Sequence, residues 1–586
     1  MKWIKSNWAI FTLALLVGLI YVSHNFFIAA ILRDQGKIFH PITISSNRDE
    51  GLFYAPRANA VIGGQLKAGD ITVKGNEKSP SMLPLANPGL IGGLGKLFGS
   101  LEKGFIFSDF FFPFLIFLAL YYLGKEISGS RMFGTVFATV FIFLPKLFLN
   151  IPPISLSLFK ASLEPILGSR NDQLYFSRFE YPKLTFLFFS LAFLFLYRTI
   201  KNKNKYSFFF TGILFGAMFY TYLYDWVYFT ITLGILGIFY FAKKNFKIFK
   251  KLLLIFAIGL VASIFYWVNF INLQSFPHYN DLFSRIGVEI GNNFRFETAW
   301  KTYVRVIGLA FLIRLLFWKE DRTKSIYLIS ILSTIIIALN IQVILGFNPQ
   351  PDHWHKIQFL IIGLTIALII FRFCKKYFSC IPKKTSLIAS IVLISIVLVG
   401  AFKSQKSFSI AHFNRYTIDN NYEEIYKWLN KNTPNNSVIG SLFRINDETL
   451  LFTHNKLFLA NGFLTTISNQ EIWNRFLEIN AIYKVTVDKF RELLQDSNIL
   501  LYLFHDEYRN RSFNAYFRAS QRELPDSVLN QKVEEYKKLI KSPQISFELD
   551  YLIFSKQEKE IGQDPIMQIP RLKKVYEQGD IKIYQL

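Results

Sequence analysis

The sequence predicts a mainly α, polytopic membrane helical bundle of about eleven spans, followed by a C-terminal extracytoplasmic α/β domain. Three observations carry this reading. The 586 residues are 52% hydrophobic, 17% aromatic and only 18% charged, too apolar for an ordinary soluble chain. Apolar runs of the ~18 or more residues needed to cross the hydrocarbon as helix recur up to about residue 402 and then stop. The basic residues fall in alternate loops.

Taken in order, the candidate spans are 8–30, 104–124, 131–149, 182–200, 206–224, 225–242, 252–271, 301–318, 325–346, 357–374 and 385–402. The first has a basic start and an apolar core but runs long and lacks a small-x-small cleavage site, so it reads as an uncleaved anchor. Stretch 206–242 is too long for one crossing. It divides at "YLYDW", where Asp225 is tolerable at an interface but costly mid-bilayer.

With the N-terminus cytoplasmic, the inside segments hold 22 Lys or Arg against 3 acidic residues, which satisfies the positive-inside rule. Loops 31–103, 150–181, 272–300 and 347–356, and the tail after 403, then lie outside. The formal charge of +25 is mostly accounted for by cytoplasmic loops facing anionic headgroups, so no nucleic-acid partner is expected. Both cysteines, Cys374 and Cys380, fall in one inside loop, which implies no structural disulfide outside.

The expected domains are 1–403, the membrane part with 31–103 as its first outside loop, and 404–586, the soluble part. In the loop, "RDEGLFYAPRANAVIGGQL" has helical apolar spacing after a potential capping Asp, and "NPGLIGGLGKLFGSLEKG" reads as an interfacial helix. The tail changes character. "NYEEIYKWLNKNTPNNSVIGSLF" reads as helix, turn and strand, and "SFELDYLIFSK" and "DIKIYQL" as further strands.

Acidic residues are sparse in the first 400 positions, so those outside are informative. Asp49, Glu50 and Asp70, then Glu164, Asp172 and Glu180, then Asp281, Glu289 and Glu297, and Asp352, with the basic Arg57, Arg170, Arg178, Lys183, His353, His355 and Lys356, would gather on one side of the bilayer. A phosphate-linked lipid substrate needs cations to hold the phosphate and a carboxylate to take a proton from the attacking group.

A first span, then an outside loop with Asp49-Glu50, Tyr54, Arg57, Gly63-Gly64 and Asp70, then "PLANPGLIGGLGKLFGS" and "SRFEYPKLTFLFFSLAFLFLYR", together resemble the GT-C membrane glycosyltransferases, in particular their aminoarabinose and protein O-mannosyl transferase branch. The Asp-x-Asp and Trp-Trp-Asp blocks of the oligosaccharyltransferase branch are absent from this sequence. The resemblance implies a polyprenyl-phosphate-linked sugar donor, a lipid, glycan or protein acceptor, and Asp49 as the base supported by Glu50. Arg57, Arg178, Lys183, His353, His355 and Lys356 become candidates for the donor phosphate, and Tyr54, Asp172, Glu180 and Asp352 for the substrate cavity. The resemblance fixes no cofactor, and a divalent ion is left open.

Plainer readings stand beside these. Asp49 and Glu50 also suit the cap of a helix beginning near Gly51. "PQPDHWHK" also suits a solvated turn with Trp354 as an interfacial anchor, since H-x-H on a loop is a weak metal signal. Asp225 suits an interfacial turn. The competing functions are a transporter or flippase-like protein for a lipid-linked or anionic solute, and a non-catalytic membrane scaffold.

Overall fold

The computed structural model describes the chain except residues 1, 149–155, 168–172, 295, 350–352, 378–381, 510–520 and 570. Each of the eleven predicted segments holds a helix. Among the described residues, seven helices are long and apolar enough to cross a membrane: Asn7–Asp34, Leu101–Ser128, Phe179–Ile200, Leu223–Ala242, Arg322–Leu339, Ile357–Tyr377 and Lys384–Tyr416. A broken pair, Phe246–Ala262 and Ile264–Gln274, would make an eighth. Arg131–Phe143 and Ser207–Phe219 are shorter, and Phe296–Phe317 carries Lys301, Arg305 and Arg314. The division at "YLYDW" is seen directly: Ser207–Phe219 ends, Tyr222 is extended at φ −158°, and a new helix starts at Leu223.

The chain forms two compact units. One comprises 1–39, 105–267 and 290–414, and the other 40–104, 268–289 and 415–586. In the first, spanning helices pack through small residues and polar pins. A Cβ on Gly134 would stand 2.7 Å from Tyr121 O, so the helices either side of Gly129 approach closely only because that side chain is missing. Tyr327 Oη donates to Phe193 O at 2.9 Å, and the Thr232 and Thr334 hydroxyls meet at 3.0 Å. These bonds satisfy polar groups where water is excluded.

The second unit is built on a five-stranded mixed sheet: β1 (Val438–Gly440), β2 (Lys456–Leu457), β3 (Tyr551–Phe554), β4 (Lys573–Gln578) and β5 (Ile581–Gln585). The strand order is β2-β1-β3-β5-β4, with β1 parallel to β2 and β3, and the β3–β5 and β5–β4 pairs antiparallel. Strand periodicity sorts the side chains onto two faces. Ile439, Tyr551, Ile553, Ile581 and Ile583 pack with Ile425 and Leu429 of helix Asn420–Asn432. Val438, Leu552, Phe554 and Tyr584 face the larger helical layer that includes Phe476, Phe490 and Tyr536.

Most of the long loop after the first span, 40–104, belongs to this unit. Asp70, fully buried, ties it to the tail. Its Oδ1 accepts from Thr72 N (2.8 Å), Thr72 Oγ1 (2.7 Å) and Val73 N (3.0 Å), and its Oδ2 from Thr465 Oγ1 (2.7 Å), Thr466 N (2.8 Å) and Thr466 Oγ1 (3.2 Å). Leu457 N donates to Thr72 O at 2.8 Å, so the loop continues the hydrogen bonding of β2.

Candidate functional site

The residues predicted for the site fall in both units, and each set is described within its own unit. In the sheet-containing unit, "RDEG" enters a π-helical turn, Glu50–Tyr54, that runs on into helix Ala55–Ile62 with Pro56 in its first turn. Proline is pre-shaped for that position. Gly51 is required: a Cβ there would lie 2.8 Å from Thr43 O and 2.9 Å from Ile44 Cα. Glu50 is buried and Asp49 half-buried. Asp49 occupies the cap position, yet its side chain makes no capping hydrogen bond. Capping therefore does not account for this carboxylate.

Leu52 and Phe53 pack against Leu450 and Phe463 of the tail, with the Phe53 and Phe463 rings 4.6 Å apart. Tyr54 is half-buried at the edge of this cluster. Arg57 is 2% exposed, and its Nη2 donates to Ser81 Oγ (3.2 Å), Leu83 O (3.1 Å) and Pro84 O (2.9 Å). In this arrangement the Arg57 fork clamps the loop that follows.

The tail brings a carboxylate that the sequence reading passed over. Helix Phe443–Phe452 packs on the Glu50–Tyr54 turn and carries Asp447 and Glu448. Asp447 Oδ1 accepts from Asn461 Nδ2 at 3.3 Å, and Glu448 Oε2 from Tyr426 Oη at 2.7 Å. Burial pushes the Asp447 carboxyl up to about 8, with Glu448 raising it further and Asn461 and Arg48 opposing. Perturbed carboxylates of this kind concentrate at functional sites. The adjacent acids in "NDETLLF" were the only sequence signal.

In the membrane-spanning unit, Arg178 and Glu180 stand at the head of the π-helical turn Phe179–Leu184, where Glu180 is buried and Arg178 half-buried. Lys183 is fully buried and ion-paired with Asp109, and its Nζ donates to Ser108 Oγ at 3.0 Å. Asn25 Nδ2 donates to Asp109 Oδ2 at 2.9 Å, and His24 Nε2 lies 3.8 Å from the same oxygen. Asp109, His24 and Asn25 lie in runs that read as plain span, so the sequence reading overlooked them.

His353 Nδ1 and Tyr222 Oη are 2.6 Å apart, and the His353 ring lies 5.1 Å from Tyr224. Trp354 is not a solvated anchor. It is 3% exposed, packs edge-on against Tyr224 at 4.9 Å and donates from Nε1 to Asn348 Oδ1 at 2.9 Å. Asp172 and Asp352, and the side chains of His355 and Lys356, lie outside the described residues. Among the described residues, no group of three or more His, Cys, Asp or Glu is placed to hold a metal ion.

No protein-family model matches this sequence, and no curated protein matches it. Two solved structures of ArnT from Cupriavidus metallidurans are similar to it. The one bound to undecaprenyl phosphate aligns with a TM-score of 0.45 and 11% identity over 100% of this chain and 98% of that one. The apo form aligns with a TM-score of 0.45 and 12% identity over 95% and 97%.

Proposed function

We propose that this protein is a membrane glycosyltransferase acting on the extracytoplasmic face, moving a sugar from a polyprenyl-phosphate-linked donor to a lipid, glycan or protein acceptor. The single observation that carries the proposal is Asp49. It is a carboxylate held at the head of a turn that needs Gly51, beside the buried Glu50, without serving as the helix cap. The sequence resemblance of the Asp49 to Asp70 stretch to GT-C enzymes supports the same reading.

In the proposed reaction an acceptor O–H or N–H attacks the anomeric carbon, the bond from that carbon to the phosphate oxygen breaks, and the phosphate leaves on its lipid. Asp49 takes the acceptor's proton, and one displacement inverts the anomeric centre. Glu50 supports the base. Arg178 and His353 are the proposed donor-phosphate contacts in the spanning unit, where arginine's fork suits phosphate.

The test is sugar release from radiolabelled polyprenyl-phosphate sugars in membranes carrying wild type or Asp49→Asn at matched expression. A loss of ~100-fold or more is expected of a general base. Equal turnover by both proteins would remove Asp49 from the role.

One observation favours a second reading. Lys183 and Asp109 form an ion pair inside the spans, with His24 beside it, where ionisable residues often mark a transport route. Movement of an intact lipid-linked sugar across vesicles, without sugar release, would select transport.

A further inference from the structure

Asp225 is a buried acid that the proposed reaction does not use. Asp225 sits in the first turn of helix Leu223–Ala242 and is 2% exposed. Its Oδ2 receives no hydrogen bond among the described residues. A carboxylate enclosed without a donor is costly, and in a membrane span a polar group kept at such cost is by default functional.

Tyr222 and Tyr224 precede it on the chain, and Asp225 N donates to Tyr222 O at 3.2 Å. Tyr222 hydrogen-bonds His353 at 2.6 Å, Tyr224 donates to Pro349 O at 2.6 Å, and Tyr175 donates to Tyr181 Oη at 3.4 Å. The Tyr181 and Tyr222 rings stack with centroids 4.9 Å apart. Tyr175, Tyr181, Tyr222 and His353 are half-buried, while Asp225 is buried. The fold thus groups partly accessible aromatic rings around Tyr222, three residues before an acid whose Oδ2 lacks a donor among the described residues.

The chemistry narrows the ligand. A lipid tail would leave the acid still unpaired. No described group of three or more metal-ligating side chains exists to share a cation. A polyhydroxylated ring meets both needs, since its hydroxyls donate to the acid and its apolar face lies against the phenol rings.

We propose that Asp225, with Tyr175, Tyr181, Tyr222 and His353 around it, is a subsite for the sugar ring of the glycosyl donor, and that Asp225 accepts a hydrogen bond from a ring hydroxyl. This rests on the glycosyltransferase reading and deepens it. Sites built to bond a substrate hydroxyl discriminate strongly against ligands lacking one, because the protein's polar group is then left unpaired.

The experiment uses the full chain in lipid nanodiscs, with farnesyl phosphate and its glucosyl, mannosyl, galactosyl and arabinosyl derivatives as probes. Binding is read from the fluorescence of Trp226 and Trp354, which flank the cluster, and stability from thermal unfolding. In wild type, at least one sugar-bearing probe should bind ~10-fold or more tighter than farnesyl phosphate. Asp225→Asn should abolish that increment, keep farnesyl phosphate binding, and leave Tm unchanged or higher, since the acid has no partner to lose.

The subsite is overturned by an undiminished sugar increment in the variant, or by no increment for any sugar in wild type. A lowered Tm with loss of both kinds of probe would instead assign Asp225 to structure. Wild type binding no farnesyl phosphate at all would count against the glycosyltransferase reading itself, separately from the subsite.

Discussion

Lys183 and Asp109 form an ion pair enclosed by the spanning helices, with Ser108 and Asn25 hydrogen-bonded to it and His24 beside it. A buried pair is worth little against a well-packed apolar replacement, but losing one partner strands the other. Lys183→Met and Asp109→Asn should each destabilise the protein by roughly 3–5 kcal/mol. The double variant should lose less than the two single losses added together, as read from thermal unfolding in detergent.

Asp49 makes no capping bond, so its removal should separate activity from stability. Capping residues typically contribute ~1 kcal/mol, and with no capping bond to lose Asp49→Ala should cost less than that. Chemical denaturation of the wild type and the variant measures this. A full capping loss would return Asp49 to the helix-capping role.

Asp70 joins two distant parts of one unit by accepting six hydrogen bonds across its two oxygens. Asp70→Ala should cost on the order of 3 kcal/mol, because several buried donors lose their acceptor together. Limited proteolysis should then cut within 71–80, which wild type protects.

Asp447 gives a pH signature. Its folded pKa, about 8, lies above the ordinary value near 4, so the folded state holds a proton that the unfolded state releases. Stability is therefore greatest below about 4 for this group and falls as pH rises towards about 8. Asp447→Asn should remove that decline between pH 5 and 8, measured as Tm against pH.

The helices of the membrane part were legible in the sequence, because length and apolarity are local properties, although seven or eight of them, not eleven, are long and apolar enough to span among the described residues. The break at "YLYDW" and the strands at "SVIGSLF", "DYLIFSK" and "DIKIYQL" follow from the same local patterns. The "RDEG" stretch announced a turn and helix start, though not that Asp49 would leave the cap unbonded. That outcome depends on the π-helical geometry and on how close Gly51 lies to Thr43.

The remainder was decided by tertiary structure. Asp109 and Lys183 are 74 residues apart, and Asp70 and Thr465 are 395 apart, so no local pattern announces either contact. Likewise, Asp225 is buried next to Tyr222 and Tyr224, whose partners Tyr181, Pro349 and His353 come from distant parts of the chain. By itself the sequence determined a chain with apolar helices to span a bilayer and a long loop rich in acids after the first of them. Which acids are consumed by the fold and which remain for chemistry was decided only by packing, because burial and hydrogen-bond partners are set by neighbours far away in the chain.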